Sequence, residues 1–217
     1  MSNKSSKYIS TAQDLINEEI KTLRTNVTFN VTEENSTVYM ITSSRQGEGK
    51  TFVSKSLSES LANARYKVLL IDADMRRPQV HKRFNVPNNY GLSNIISHQI
   101  PYEQGIYYSE DSNLDIIPAG TKPPNPSELL DSPNFKDFIE DIKGEYDYVI
   151  IDTPPILPVT DALIIGRLVD QTILVANSKK TPRELVIEAK TRLDNLKISV
   201  FGVVLNQVKH TNTKGYY

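Results

Sequence analysis

Residues 43–51 have the sequence Ser43-Ser44-Arg45-Gln46-Gly47-Glu48-Gly49-Lys50-Thr51 and follow a short apolar run, Val38 to Thr42. The run predicts a buried strand, and the apolar spacing over residues 50–64 predicts a helix directly after the loop. Glycines let main-chain amides curl around a phosphate, and a helix N-terminus adds partial positive charge. Lys50 can reach the β- and γ-phosphates of a nucleotide, and Thr51 can offer its hydroxyl to Mg²⁺. The pattern therefore predicts a phosphate-binding loop.

The match to the usual loop pattern is incomplete, because Ser44 stands where that pattern has its first glycine. A glycine-rich turn with an exposed lysine is the alternative interpretation. Gly-x-Gly-Lys-[Ser/Thr] arises by chance in about one chain in a hundred of this size. The predicted strand before the loop and the predicted helix after it favour phosphate binding.

The alternation of strand and helix continues along the chain. Apolar runs rich in Val, Ile and Leu predict strands, and apolar residues at helical spacing predict the helices between them. The predicted strands are 67–72, 114–118, 146–152, 172–177 and 200–206, and the predicted helices are about 11–28, 133–143, 159–168 and 182–195. Continuously apolar strands separated by helices predict an α/β fold, with a mostly parallel sheet between helices on both faces. Ligands of such sheets bind at the carboxyl ends of the strands.

Composition limits the function classes. The chain has 217 residues with Lys+Arg 25 and Asp+Glu 26, a net charge of −1, so we expect no nucleic-acid partner. The absence of cysteine excludes disulfides, thiol nucleophiles and iron–sulfur ligation, and a cytoplasmic location fits it. No apolar run approaches the ~20 residues of a membrane span. We expect one domain, residues 1–217, with a flexible tail over about 208–217.

Two further motifs place carboxylates at predicted strand ends. Asp72 and Asp74 follow an apolar strand at a spacing that puts both side chains on one face of extended backbone. Asp152 ends the apolar run Val149-Ile150-Ile151, as in a Walker B motif, where an aspartate holds Mg²⁺. Ordinary turn chemistry is the alternative for Asp72 and Asp74, and an apolar run that ends in aspartate, as at Asp152, occurs by chance in many proteins. All three motifs at strand ends together indicate a nucleotide site.

These residues resemble those of the bacterial protein tyrosine kinases of capsular and extracellular polysaccharide assembly. In that family, residues 43–51 correspond to Walker A, Asp72-x-Asp74 to a second aspartate motif, and Ile151 to Pro155 to Walker B. The segment Pro124 to Leu130 and the last predicted strand also resemble the family. The resemblance implies a P-loop NTPase fold of the deviant Walker type and an ATP-dependent protein tyrosine kinase that uses Mg²⁺.

The resemblance also implies roles for individual residues. The loop and its neighbours are expected to bind ATP, with Asn206 near adenine. The ATP-binding residues are Gly47, Glu48, Gly49, Lys50, Thr51, Phe52 and Asn206. The metal is expected at Thr51, Asp74 and Asp152, and the catalytic residues are Lys50, Asp72, Asp74 and Asp152. Asp72 is expected closest to the incoming hydroxyl as base, although the choice between Asp72 and Asp74 stays open.

Two segments bear on assembly. The family implies that Tyr216 and Tyr217 accept phosphate from a neighbouring subunit, whereas an aromatic end to a loose tail is the alternative. Glu18, Lys21 and Arg24 resemble a Glu-x-x-Arg-x-x-Arg motif that closes a ring of subunits, with Lys21 in place of the first arginine. A solvated helix face with ion pairs three residues apart is the alternative for these three.

The expected partners follow from the same resemblance. They are a transmembrane activator, or polysaccharide co-polymerase, whose cytoplasmic segment stimulates the kinase, further copies of the chain in a ring, and a tyrosine phosphatase. Such a kinase would lie at the inner face of the cell membrane through its partner and would regulate assembly and export of the polysaccharide.

A cluster of basic residues lies beside the aspartate motif. It consists of Arg76, Arg77, His81, Lys82 and Arg83. We expect it to neutralise ATP or to collect a tyrosine-bearing tail from a neighbour, with ordinary surface charge as the alternative.

Two other functions remain open from the sequence. One is a partition or cell-division type of ATPase switch, whose members carry a lysine five residues before the loop lysine. This chain has Arg45 at that position. The other is a scaffold that binds nucleotide without catalysis.

Overall fold

The computed structural model describes residues 3–29, 37–108 and 112–209, with side chains of the first helix described from residue 13 onward. Six strands form one sheet. They are β1 (Thr37–Ser43), β2 (Val68–Asp72), β3 (Leu114–Ile117), β4 (Tyr148–Asp152), β5 (Gln171–Asn177) and β6 (Val200–Asn206). Their order is β3-β2-β4-β1-β5-β6, and neighbouring strands are parallel. The predicted α/β fold with a parallel sheet is confirmed.

The helices alternate with the strands. They are α1 (Asn3–Phe29), α2 (Lys50–Asn63), α3 (Val80–Phe84), α4 (Leu92–Ile96), α5 (Pro126–Leu130), α6 (Pro133–Lys143), α7 (Asp161–Gly166) and α8 (Arg183–Asn195). The sequence pattern missed α3, α4, α5 and a 3₁₀ turn at Tyr102–Gln104, because a helix of one turn is too short to repeat an apolar spacing. The helix α1 begins well before residue 11, and α7 is shorter than the predicted 159–168.

Apolar side chains fill both faces of the sheet. On one face Met40, Ile71 and Ile151 join a cluster with residues of α4, α6, α7 and α8. On the other face Tyr39 and Ile150 join a cluster with residues of α1 and α2. Because successive side chains of a strand point to opposite faces, strands buried on both sides must be apolar throughout.

Among the side chains of α1 that are described, from residue 13 onward, those near the C-terminal end pack against the domain. Val27 is fully buried and Leu23 contacts the core, whereas Leu15 and Ile16 are exposed. Among the described residues, no helix combines the length and the hydropathy needed to cross a bilayer.

The parallel arrangement brings the carboxyl ends of the strands to one edge of the sheet. Ser43, Asp72, Asp152, Asn177 and Asn206 are the last residues of their strands. The strand β1 lies between β4 and β5 near the centre. The chain runs from β1 to β2 on one side and later crosses to β5 on the other, and such a switch in direction opens a crevice for ligands.

We expect Gly91→Ala to destabilise the fold through a backbone contact. A Cβ at Gly91 would lie 2.1 Å from the carbonyl oxygen of Pro118, the acceptor of the Leu92 amide. Overpacking of this kind costs about 1–3 kcal/mol of unfolding free energy. Gly202→Ala is the matched control, because a Cβ there meets nothing within 4 Å. Urea unfolding measures both, and equal stabilities would contradict the predicted contact.

Candidate nucleotide-binding and catalytic site

The predicted phosphate-binding loop joins β1 to α2, with Lys50 as the first residue of the helix. Gly47 and Gly49 have φ of +81° and +96°, in the left-handed region that glycine favours. A Cβ at Gly49 would also lie 1.9 Å from Nδ2 of Asn206. Nδ2 of Asn206 donates a hydrogen bond of 3.0 Å to the carbonyl oxygen of Glu48, so the end of β6 is fixed against the loop.

The side chain of Glu48 turns inward and holds the loop in shape. It is 3% exposed and accepts hydrogen bonds from Oγ of Ser44 and from the amide of Arg45, at 2.9 and 3.0 Å. It also accepts a hydrogen bond from Oγ1 of Thr181, which follows β5. The sequence grouped Glu48 with the ATP-binding residues. The structure places its carboxylate behind the loop, where the hydroxyl of Ser44 supplies a contact that glycine would lack.

Lys50 and Thr51 each contact one of the predicted aspartates. Nζ of Lys50 lies 3.1 Å from Oδ2 of Asp74, with the two side chains only 11% and 7% exposed. Oγ1 of Thr51 donates to Oδ2 of Asp152 at 2.6 Å, and Oγ of Ser54 donates to Oδ1 of the same carboxylate at 3.1 Å. The motifs that the sequence placed at separate strand ends therefore meet, and Ser54 joins them without having been predicted.

Asp72 is fully buried and its carboxylate is engaged by the main chain. It accepts hydrogen bonds from the amides of Asp74, Gln79 and Val80, at 3.1, 2.9 and 2.9 Å. Burial raises the pKa of Asp72 and the nearby Asp152 raises it further, whereas the Val80 and Gln79 amides lower it. Asp72 thus shapes the loop that carries Asp74, and it is further from solvent than the sequence suggested.

The arrangement fits a divalent cation with bound phosphates. Burial raises the pKa of Asp152, while the charge of Lys50 and the hydrogen bond from Thr51 lower it, so the carboxylate lacks full compensation. No group of three or more His, Asp or Glu side chains in the described ranges forms a complete metal cage. Mg²⁺ commonly takes one or two carboxylates and completes its shell with phosphate oxygens and water. The hydroxyl of Thr51 and the carboxylates of Asp152 and Asp74 are ligands of that kind.

Arg76 is tied to two residues that the sequence did not single out. Its Nε and Nη2 donate to the two oxygens of Asp161 at 2.8 and 3.0 Å, and Nη2 also donates to Oγ of Ser127 at 2.9 Å. Asp161 has no exposed surface. Arg76 therefore does not contribute a free charge to the predicted basic cluster. Its role in the structure is to join the aspartate motif to α5 and α7.

The remaining predicted residues are Phe52, which lines the cleft, three charged residues of α1, and the two tail tyrosines. The side chain of Phe52 is 40% exposed at the first turn of α2. On α1, Nζ of Lys21 pairs with Oε1 of Glu18 at 2.7 Å, and Nη1 of Arg24 donates to the carbonyl oxygen of Ser60 at 3.1 Å. Tyr216 and Tyr217 lie outside the described residues.

Comparisons with known proteins indicate the family of the chain. The AAA domain family model matches residues 36–181. The tyrosine-protein kinase YwqD of Bacillus subtilis is 39% identical over 207 residues, 94% of this chain and 87% of YwqD. A Klebsiella pneumoniae protein named as a putative tyrosine-protein kinase in the cps region is 41% identical over 94% of this chain. The chain spans 28% of the length of that protein. The solved kinase domain of the Escherichia coli tyrosine kinase ETK has a TM-score of 0.85 at 36% identity, over 91% of this chain and 77% of that domain.

A parallel sheet with a glycine-rich loop at its carboxyl edge, matched by the AAA domain model, defines a nucleotide-binding protein of the P-loop class. Within that class the chain belongs to the bacterial tyrosine-protein kinases. The kinase interpretation of the sequence is confirmed, in preference to a partition-type ATPase or a scaffold without catalysis.

We expect Glu48→Ala to loosen the loop and lower stability together. The substitution leaves the Arg45 amide and the hydroxyls of Ser44 and Thr181 without their acceptor. Unsatisfied buried donors cost about 1–3 kcal/mol of unfolding free energy, and a less ordered loop should bind ADP more weakly. Glu188→Ala, which removes an exposed pair with Arg192, is the control. Urea unfolding measures the stability of both variants, and titration with a fluorescent ADP analogue measures their affinity. Equal stability and equal affinity of the two variants would argue against this role of Glu48.

Proposed function

We propose that this kinase transfers the γ-phosphoryl group of Mg-ATP to Tyr216 and Tyr217 of a neighbouring copy, and so regulates capsular or exopolysaccharide assembly and export. The observation that carries the proposal is the meeting of Lys50 with Asp74 and of Thr51 with Asp152, beside the loop amides. The polysaccharide role is supported by the family resemblance and by the Klebsiella relative named for the cps region.

Each loop residue has a role in this reaction. The main chain from Gly47 to Thr51 cradles the phosphates, and Phe52 and Asn206 border the nucleotide. Lys50 leaves Asp74 to contact the transferred group, where its charge stabilises the loose transition state. Thr51 and Asp152 would hold Mg²⁺, which neutralises phosphate charge when bound, and Asp74, which the sequence also grouped with the metal ligands, is left to accept the proton.

We assign the base to Asp74. The tyrosine oxygen forms a bond to the γ-phosphorus, the bond to the bridging oxygen of ADP breaks, and the tyrosine proton passes to a carboxylate. Asp74 is at the surface of the cleft and gains a free oxygen when Lys50 moves. Asp72 has both oxygens engaged by main-chain amides and no exposed surface.

The proposed ring of subunits rests on the exposed surface of α1 around Glu18 and Lys21. Glu18 and Lys21 pair on a face that no other described element covers, and they remain available to a second copy. Arg24 is already used within the chain, because it holds α1 to the end of α2. We therefore place the interface at Glu18 and Lys21, with Arg24 as the anchor of the helix.

A membrane partner is proposed on the relation to longer relatives. The chain spans 28% of the Klebsiella relative. A separate transmembrane protein would correspond to the part of the relative that this chain does not cover. Its cytoplasmic segment would activate the kinase and hold it at the inner face of the membrane. A tyrosine phosphatase would reverse the modification.

The test of the proposed function is phosphotyrosine formation with Lys50→Met. The purified chain incubated with Mg-ATP should label Tyr216 and Tyr217, and Lys50→Met should lose the labelling because the transferred group loses its only lysine contact in the loop. Lys136→Met, on α6 and exposed, should keep it. Mass spectrometry locates the phosphate. Full labelling of Lys50→Met would refute the mechanism, and labelling confined to other tyrosines would refute the proposed acceptors.

The assignment of the base predicts different losses at the two neighbouring aspartates. Asp74→Asn should keep the fold and nucleotide binding but lower kcat by about 100-fold or more, a common loss when a general base is removed. Asp72→Asn should instead lower stability, because it replaces an acceptor of three main-chain amides. Thermal unfolding and single-turnover rates separate the two effects. A larger rate loss in a stable Asp72→Asn would transfer the role to Asp72.

A further inference from the structure

Four basic side chains at the mouth of the cleft carry charges that the described structure does not use. Arg45, Arg77, Lys82 and Arg83 are exposed and line the cleft, and we call them the cationic rim. None of the four forms an ion pair within the described residues. The two basic residues deeper in the cleft differ, because Lys50 pairs with Asp74 and Arg76 pairs with Asp161.

The segments that carry Arg77, Lys82 and Arg83 are tied to the two aspartates of the motif. The Arg77 amide donates to Oδ1 of Asp74 at 3.0 Å, and Nη1 of Arg77 donates to Oε1 of Gln46 at 2.6 Å, so this side chain bridges two loops. Lys82 and Arg83 belong to α3, which begins at Val80, where Asp72 holds the amide. The buried aspartate thus orders the same segment that carries the base and the rim.

The electrostatics of the cleft mouth favour an anion in addition to the nucleotide. Glu19 and Asp74 are the acidic side chains among the residues that line the cleft, and Asp74 is paired with Lys50. The nucleotide phosphates are assigned to the loop amides and Lys50. The rim lines the same cleft, and its residue Arg77 is tied to Asp74 through its amide.

The side chains of the proposed acceptor segment offer only one kind of anion. Residues 209–217 contain Lys209 and Lys214 but no Asp or Glu, so the unmodified segment is repelled by the rim. Phosphorylation of one tyrosine adds about −1.5 to −2 charge and strong acceptor oxygens. Arginine and lysine side chains are suited to bind such a group.

We propose that the cationic rim of Arg45, Arg77, Lys82 and Arg83 binds a phosphotyrosine beside the acceptor tyrosine, so that the half-modified segment of a second copy is preferred over the unmodified one. This inference rests on the proposed function and adds to it an order in which the two tyrosines are phosphorylated. The first phosphate is transferred slowly to a cationic segment, and it then retains the segment while its neighbouring tyrosine reacts.

The inference is tested by binding of two peptides to the full chain. The peptides are labelled copies of residues 209–217, one unmodified and one phosphorylated at Tyr216. The receptor is the ADP-loaded chain carrying Tyr216→Phe and Tyr217→Phe, so that its own tyrosines cannot be modified. Fluorescence anisotropy should give the phosphopeptide about tenfold higher affinity, the advantage expected from one or two charge-assisted hydrogen bonds.

Rim variants identify the source of that preference. Lys82→Gln and Arg83→Gln, two exposed positions outside the catalytic machinery, should together reduce the preference to about threefold or less, and added salt should reduce it further. Lys136→Gln, exposed on α6, should leave it unchanged. Equal affinities for the two peptides, or a preference that survives in the rim variants, would overturn the inference. So would rim variants that weaken ADP binding and leave the peptide preference intact, since the rim would then serve the nucleotide.

Failure of the inference is distinguishable from failure of the proposed function. The kinase with its natural tyrosines is incubated with Mg-ATP in parallel, and the order of labelling is followed by mass spectrometry. Labelling at Tyr216 and Tyr217 without any preference for the phosphopeptide would refute the binding of phosphotyrosine by the rim and leave the proposed function intact. If a real preference accompanies labelling at other tyrosines, the proposed acceptors are wrong and the inference about this segment falls with them.

Discussion

The register of β2 against β4 places Asp72 directly opposite Asp152 at the edge of the sheet. Two carboxylates brought together in a buried position are costly unless donors or cations surround them. The local structure supplies donors and a cation to this pair. Main-chain amides hold Asp72, hydroxyls hold Asp152, and Lys50 lies beside the pair through Asp74. The loops of the site have the shapes that bring these donors to the carboxylates.

Buried acids also fix the loops that have no regular structure of their own. Glu48 holds the phosphate-binding loop to Thr181, and Asp161 holds the aspartate motif to α5 through Arg76 and Ser127. A loop of glycines and short turns has little conformational preference, and ordering it costs entropy. Hydrogen bonds to buried charged groups are stronger than those between neutral groups, and they offset this cost. The chain's own buried acids therefore shape the loops of the site.

The sheet and the loop were predictable because their signals are local. Apolar runs mark the strands, and Gly47, Gly49, Lys50 and Thr51 form a spaced pattern whose chemistry is known. The direction of the Glu48 side chain was not predictable, because it depends on Thr181, which lies 133 positions away. The same holds for Arg76, whose partner Asp161 is 85 positions distant. The sequence of a basic cluster does not show whether a given residue pairs with a buried acid or is exposed to solvent.

The cleft therefore contains two kinds of cation, those paired with buried carboxylates and those that are exposed and unpaired. A cation paired with a buried carboxylate has its position set by geometry, and breaking the pair leaves an uncompensated charge. In the proposed reaction, Lys50 leaves Asp74 when phosphates offer it new acceptors, and this would link nucleotide binding to release of the Asp74 carboxylate. An unpaired and exposed cation has no such restraint, and its attraction for an anion is screened by salt and costs little to form or lose. Inner residues therefore suit a tightly held nucleotide, and outer residues suit an acceptor that must enter, react and leave.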